Sequence, residues 1–138
     1  MSEFRSELSV KNKYWIDRHR YLELKQFCMQ YPLWKKVYIT MDGASVQPPM
    51  AAIVSKSYGH GDPTAQCAEA RSFYSNRIDM IEKTAKDADP DLWKYLVVGI
   101  TEGRSYDTLK MTMEIPCCKD VYYESYRKFF WLLSCARA

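Results

Sequence analysis

The chain has 138 residues, a formal net charge of +3 and 47% hydrophobic residues. This length and composition suit one domain, or one domain with an extra helical layer, and they exclude a disordered chain. Because no run of 18 apolar residues occurs and the N-terminus is charged rather than apolar, we expect neither a membrane span nor a secretory signal, and therefore a cytoplasmic protein.

The first 42 residues are predicted to form a pair of helices. Ser9 is a plausible N-cap for a helix over about residues 10–31, and Pro32 ends this helix and starts the next one. Asp42-Gly43 ends the second helix. The apolar stripe of the first helix is predicted to begin with Trp15, Leu22 and Phe27.

Residues 43–62 are predicted to be a connector, because Pro48-Pro49 and Gly59-His60-Gly61 disfavour regular helix. Asp62-Pro63 then gives the start signal of a long amphipathic helix that ends near residue 87. Its apolar positions are Tyr74, Ile78, Ile81 and Ala85. Such a helix is usually a scaffold or a dimerisation element.

The C-terminal residues are predicted to form a helix-turn-helix within a second helical part, residues 63–138. A helix that starts at Asp89-Pro90 stops at Gly103, and Ser105 caps a short helix that reaches Thr112 or Met113. Ile115-Pro116 forms the turn, with Ile115 filling the space under it, and the last helix spans about residues 118–135. The predicted fold is therefore all-α, with an N-terminal helical layer followed by a long helix and a C-terminal helix-turn-helix.

The last helix is predicted to have a buried side and an outer side. The 3.6-residue period places Val121, Tyr122, Ser125, Phe129, Leu132 and Leu133 on the buried side. The outer side holds Lys119, Asp120, Tyr123, Glu124 and Arg127, flanked by Lys128 and Trp131. We expect this outer side to enter the major groove of DNA.

These outer residues have side chains that suit DNA contacts. Arg127 is expected to read guanine or hold a phosphate, and Lys119 suits a phosphate better. Tyr123 suits a phosphate or a thymine methyl group, and Arg104 and Ser105 could contact the DNA backbone from the start of the short helix. The candidate DNA-contact set is Arg104, Ser105, Lys119, Asp120, Tyr123, Glu124, Arg127 and Lys128.

The C-terminal motif resembles the helix-turn-helix of sigma-70 region 4. The resemblance rests on Glu102-Gly103-Arg104-Ser105-Tyr106 with Leu109 and Ile115. A wider resemblance, to ArpU/RinA-type late-gene regulators of phages and prophages, rests on Asp62-Pro63-Thr64, Ala88-Asp89-Pro90-Asp91, Ile115-Pro116-Cys117 and Arg127-Lys128-Phe129-Phe130, among other segments. It implies binding to phage promoter DNA and control of late genes.

The charge distribution leaves a second interpretation open. Residues 89–138 hold seven Lys/Arg and seven Asp/Glu, while the whole positive excess lies in residues 1–46. A neutral module gains little from phosphate attraction, so a basic N-terminal helix or a homodimer would have to add affinity. The alternative is a protein-binding module that docks on RNA polymerase or inhibits a host nucleic-acid enzyme.

The sequence gives no sign of an enzyme, a cofactor or a metal. The five cysteines include the adjacent pair Cys117-Cys118, but the nearest histidine is His60, so no zinc-ligand spacing is present. No Gly-rich phosphate loop occurs, and no nucleophile stands beside a histidine. We therefore expect no catalytic residues, no cofactor and no metal ligands.

Overall fold

The computed structural model describes residues 13–42 and 63–137, and the regular secondary structure in these two stretches is entirely helical, as predicted. The helices are α1 (Arg18–Cys28), α2 (Tyr31–Asp42), α3 (Pro63–Ala88), α4 (Trp93–Thr101), α5 (Tyr106–Met113) and α6 (Lys119–Ala136). The predicted cap Ser9 and the predicted connector 43–62 lie outside the described residues. Within the described stretches, every helix is too short or too polar to cross a membrane.

Helix α1 begins later than the sequence predicts. Residues 13–17 are not helical, and the carboxylate of Asp17 caps α1 by accepting a hydrogen bond from the backbone N–H of His19 at 2.9 Å. Trp15 precedes the helix and is exposed, so its predicted place at the start of the apolar stripe is wrong. The buried face of α1 consists of Tyr21, Leu24, Phe27 and Cys28.

The described residues form two compact units, which differ from the predicted division at residues 42 and 63. We call residues 13–30 and 80–137 the terminal unit, and residues 31–42 and 63–79 the middle unit. The middle unit contains α2 and the first part of α3. Its buried side chains are Tyr31, Trp34, Val37, Met41, Ala70, Tyr74 and Ile78.

The terminal unit joins α1 to the C-terminal helices. The hydroxyl groups of Tyr21 and Tyr126 are hydrogen-bonded at 2.7 Å, and the Tyr21 ring lies 4.9 Å from the Phe130 ring, centroid to centroid. The Arg20 guanidinium donates to the hydroxyl and to the backbone carbonyl of Ser134 at 3.1 and 3.0 Å. These contacts fix α1 along α6 over a sequence separation of more than 100 residues.

Helix α4 packs against the start of α6. Leu92, which precedes the helix, is buried, and so are Leu96, Val97 and Ile100 within it. Asp89 precedes α4 and accepts hydrogen bonds from the backbone N–H groups of Asp91 and Leu92, while its second carboxylate oxygen accepts from the Ser125 hydroxyl at 2.9 Å. The Asp89 carboxylate therefore fixes the backbone just before α4 and also links it to α6.

Candidate nucleic-acid interface

The short helix α5 is built as the sequence predicts. The Ser105 hydroxyl accepts a hydrogen bond from the backbone N–H of Thr108 at 3.3 Å, which caps an eight-residue helix. Tyr106 and Leu109 are buried on its inner side. The Tyr106 hydroxyl donates to the carbonyl of Cys117 at 2.6 Å, so α5 is tied to the last residues before α6.

The turn between α5 and α6 comprises residues 114–118. Glu114 adopts the left-handed conformation, with φ 53° and ψ 47°, and reverses the chain at the end of α5. Ile115 follows and is 2% exposed, which agrees with its predicted place under the turn. The turn is one residue longer than the three or four residues usual in a helix-turn-helix.

Two predictions about the faces of α6 are wrong. Tyr123 is buried, and its hydroxyl accepts a hydrogen bond from the backbone N–H of Tyr106 at 3.3 Å, so this side chain does not lie on the outer side. Val121, predicted to be buried, is 48% exposed. The reason is that more than one helix covers α6. Its buried side is therefore wider than the apolar stripe predicted from the 3.6-residue period, and it is centred on other residues.

Arg127 and Glu124 form an ion pair in which Glu124 is the more exposed partner. Nη2 of Arg127 lies 3.2 Å from Oε2 of Glu124, and their side chains are 19% and 47% exposed. Nε of Arg127 is buried without a hydrogen-bond partner among the described residues. The guanidinium therefore supports the Glu124 carboxylate rather than projecting freely from the helix.

The remaining members of the candidate set lie on the surface. Lys119 and Asp120 are exposed in the first turn of α6, and Lys128 is half-buried further along it. Arg104 forms an exposed ion pair with Glu102 at 3.0 Å. Ser105 is exposed beside it as the cap of α5.

Lys110 is an exposed cation of α5 that lies outside the candidate DNA-contact set. The sequence could have indicated this residue, because Lys110 directly follows the apolar Leu109 and therefore falls on the outer side of the short helix. Burial, together with the neighbouring Cys118 and Asp89, raises the pKa of Cys117, and Lys110 acts in the opposite direction. Lys110 is thus close enough to the turn for its charge to act there.

Cation binding by protein side chains finds no support in the described part of the chain. No group of three or more His, Cys, Asp or Glu side chains is placed there to hold a metal ion. The raised pKa of Cys117 also favours the protonated thiol over the thiolate, which is the form that binds metals.

No family model, curated protein sequence or solved structure matches the chain. The features of the chain that bear on its function are therefore the motif, the order of the helices and the exposed side chains of α5 and α6.

Proposed function

We propose that the protein is a sequence-specific regulator of transcription, of the phage or prophage type, that binds double-stranded DNA with α6 in the major groove. The observation that carries the proposal is the arrangement of α5, the turn and α6. A short capped helix is followed by a left-handed residue, by the buried Ile115 and by an 18-residue helix with an exposed first turn. A helix-turn-helix uses this order, and the first turns of its second helix contact DNA.

The start of α6 has features that suit a phosphate group. Cys118 occupies the N-cap position but makes no side-chain hydrogen bond to the first turn. The N–H groups of that turn are therefore not capped by this side chain, and a helix N-terminus of this kind attracts anions. The exposed Lys119 adds a positive charge at the same place.

Affinity for phosphate is expected to be modest, because residues 89–138 carry no net charge. Within the terminal unit, residues 13–30 add four Lys/Arg against two Asp/Glu, so α1 supplies the basic excess. A homodimer would double every contact and would read two half-sites. We include dimerisation on DNA in the proposal.

The proposal is tested by a DNA titration of the full-length protein at two salt concentrations, with a duplex from the region upstream of its own gene. Wild-type protein should bind saturably and more weakly at the higher salt. Lys119→Gln should weaken binding and reduce the slope of log K against log[salt] by about 1 per affected site, because one phosphate contact is lost. Lys94→Gln, which removes an exposed lysine from α4, should behave like wild type.

Absence of saturable binding at micromolar protein and low salt would contradict the proposal. An equal loss of binding in Lys119→Gln and Lys94→Gln would contradict the placement of α6, since it would point to a general effect of charge.

A second candidate function is docking on a protein such as RNA polymerase or a host nucleic-acid enzyme. It is favoured by the exposed apolar side chains of α5 and α6, namely Met111, Val121 and Trp131, which are 84%, 48% and 38% exposed. Exposed aromatic and methionine side chains are common at protein interfaces. A partner that co-purifies after nuclease treatment in high salt, and is lost in Trp131→Ala, would favour this function over DNA binding.

A further inference from the structure

We infer that Glu124, rather than Arg127, is the base-reading side chain of α6, and that its carboxylate accepts a hydrogen bond from the amino group of a cytosine in the major groove. The inference rests on the proposed function, because it requires α6 to lie in that groove. It reverses the roles that the sequence suggests, in which Arg127 reads guanine.

The geometry of Arg127 is unfavourable for reading guanine. A bidentate contact needs two guanidinium N–H groups that point out of the protein toward O6 and N7 of the base. In Arg127 the Nε side is buried, and Nη2 already donates to Glu124. The side chain as a whole is only 19% exposed.

Glu124 has the complementary properties. Its side chain is 47% exposed, and Oε2 accepts the hydrogen bond from Arg127, which limits the conformations of the carboxylate. Oε1 accepts no hydrogen bond within residues 13–42 and 63–137, so it can accept one from a partner outside the protein. Arg127 is thus a positioning residue for Glu124.

A carboxylate discriminates among the four bases by charge. Cytosine presents an amino donor in the major groove, whereas guanine and thymine present acceptor oxygens that repel a carboxylate. Adenine also has an amino group, but the N7 acceptor lies beside it. Cytosine is therefore the base that an ionised Glu124 favours.

Asp120 extends the same acidic ridge. It lies one turn before Glu124 on α6 and is exposed, and residues four positions apart are neighbours on a helix surface. Two carboxylates on a groove-facing ridge weaken attraction to phosphate and penalise unsuitable bases. Residues 89–138 carry no net charge, so we expect their recognition of DNA to depend on discrimination among bases more than on attraction to phosphate.

The test is a selection of binding sites from a randomised duplex pool by the full-length protein, followed by sequencing. Wild-type sites should contain a fixed C·G pair. In Glu124→Gln the preference for cytosine at that position should fall about fivefold or more, with a shift toward adenine, which an amide side chain pairs with better. Binding to the unselected pool should not weaken, because the substitution removes a negative charge.

Asp91→Asn is the matched control, since it removes one exposed carboxylate ahead of α4 and should select the wild-type sites. Arg127→Met should relax selection at the same position as Glu124→Gln and at no other, and Arg127→Lys should restore part of it. A purely structural role of Arg127 would instead weaken binding to all sequences alike.

Wild-type sites without a fixed cytosine, or an unchanged site preference in Glu124→Gln, would overturn this inference while DNA binding stands. Failure of the wild-type protein to bind any duplex would overturn the proposed function, and the inference with it.

Discussion

Gly99 is the point on α4 where a side chain would collide with α6. A Cβ atom at this position would collide with the Tyr122 hydroxyl oxygen and would lie 3.0 Å from Cδ1 of Leu109 and 3.3 Å from the carbonyl oxygen of Arg104. Tyr122 and Leu109 are both fully buried and have little room to move. Glycine in the middle of a helix costs stability, and here that cost is offset by the close approach of three elements.

Gly99→Ala should lower the free energy of unfolding by about 1–2 kcal/mol, because overpacking outweighs the roughly 1 kcal/mol gained in helix propensity. The measurement is chemical denaturation of the purified protein. The companion variant Tyr122→Phe removes the nearest colliding atom, so Gly99→Ala should cost less in that background. An equal cost in both backgrounds would show that the Tyr122 hydroxyl is not what opposes the methyl group.

At the scale of elements, the link between α5 and α6 depends on a strained residue. Glu114 has φ 53°, a conformation that glycine adopts freely and that costs other residues about 1–2 kcal/mol. The strain is tolerated because the residues on both sides are fixed, by Ile115 in the core and by the hydrogen bond from Tyr106 to Cys117.

Glu114→Gly should raise the free energy of unfolding by about 0.5–1 kcal/mol, since the relief of strain exceeds the extra entropy of glycine in the unfolded chain. Glu114→Ala keeps a Cβ atom and serves as the control, with little change expected. Thermal and urea unfolding both report the difference. Destabilisation by glycine would mean that the Glu114 side chain makes a larger contribution than its conformation costs.

The sequence predicts the local features of these elements well. Ser105 as the cap of α5 and the positions of α4 and α6 depend on short-range chemistry, which is present in the sequence itself. The buried place of Ile115 under the turn was also predicted from this local pattern.

The predictions fail where burial depends on neighbouring helices. Tyr123 and Val121 lie near the border of the apolar stripe of α6, and the helices that cover it decide which of them is buried. The pairing of Arg127 with Glu124 was also missed, although their spacing of three residues permits it. A periodic pattern gives the direction of each side chain on an ideal helix. It does not say how much of the helix surface the neighbouring helices cover.

At the scale of the whole molecule, the terminal unit has a buried thiol in α1. Cys28 is fully buried, and burial raises its pKa strongly, an effect that the charge of Arg137 only partly opposes. In the unfolded chain the same thiol ionises near pH 8.5. Above that pH the unfolded state binds fewer protons than the folded state, so stability falls as the pH rises.

Cys28 should therefore contribute a loss of about 1.4 kcal/mol of unfolding free energy per pH unit above roughly pH 9. In Cys28→Ala this part of the pH dependence should disappear, although the variant is less stable at neutral pH. Ile81→Val, a truncation at another fully buried position, should lower stability while keeping the wild-type dependence on pH. Parallel curves for wild type and Cys28→Ala would contradict the prediction.

The pairing of α1 with α6 also has a consequence for synthesis on the ribosome. Tyr21 and Arg20 are translated more than 100 residues before their partners Tyr126 and Ser134. Helix α1 cannot complete its packing until α6 has been translated, so its contacts with α6 stay unmade while the residues between these two helices are synthesised. A stop codon shortly before α6 would leave the side of α1 that contacts α6 permanently exposed and would make the fragment a substrate for chaperones and proteases.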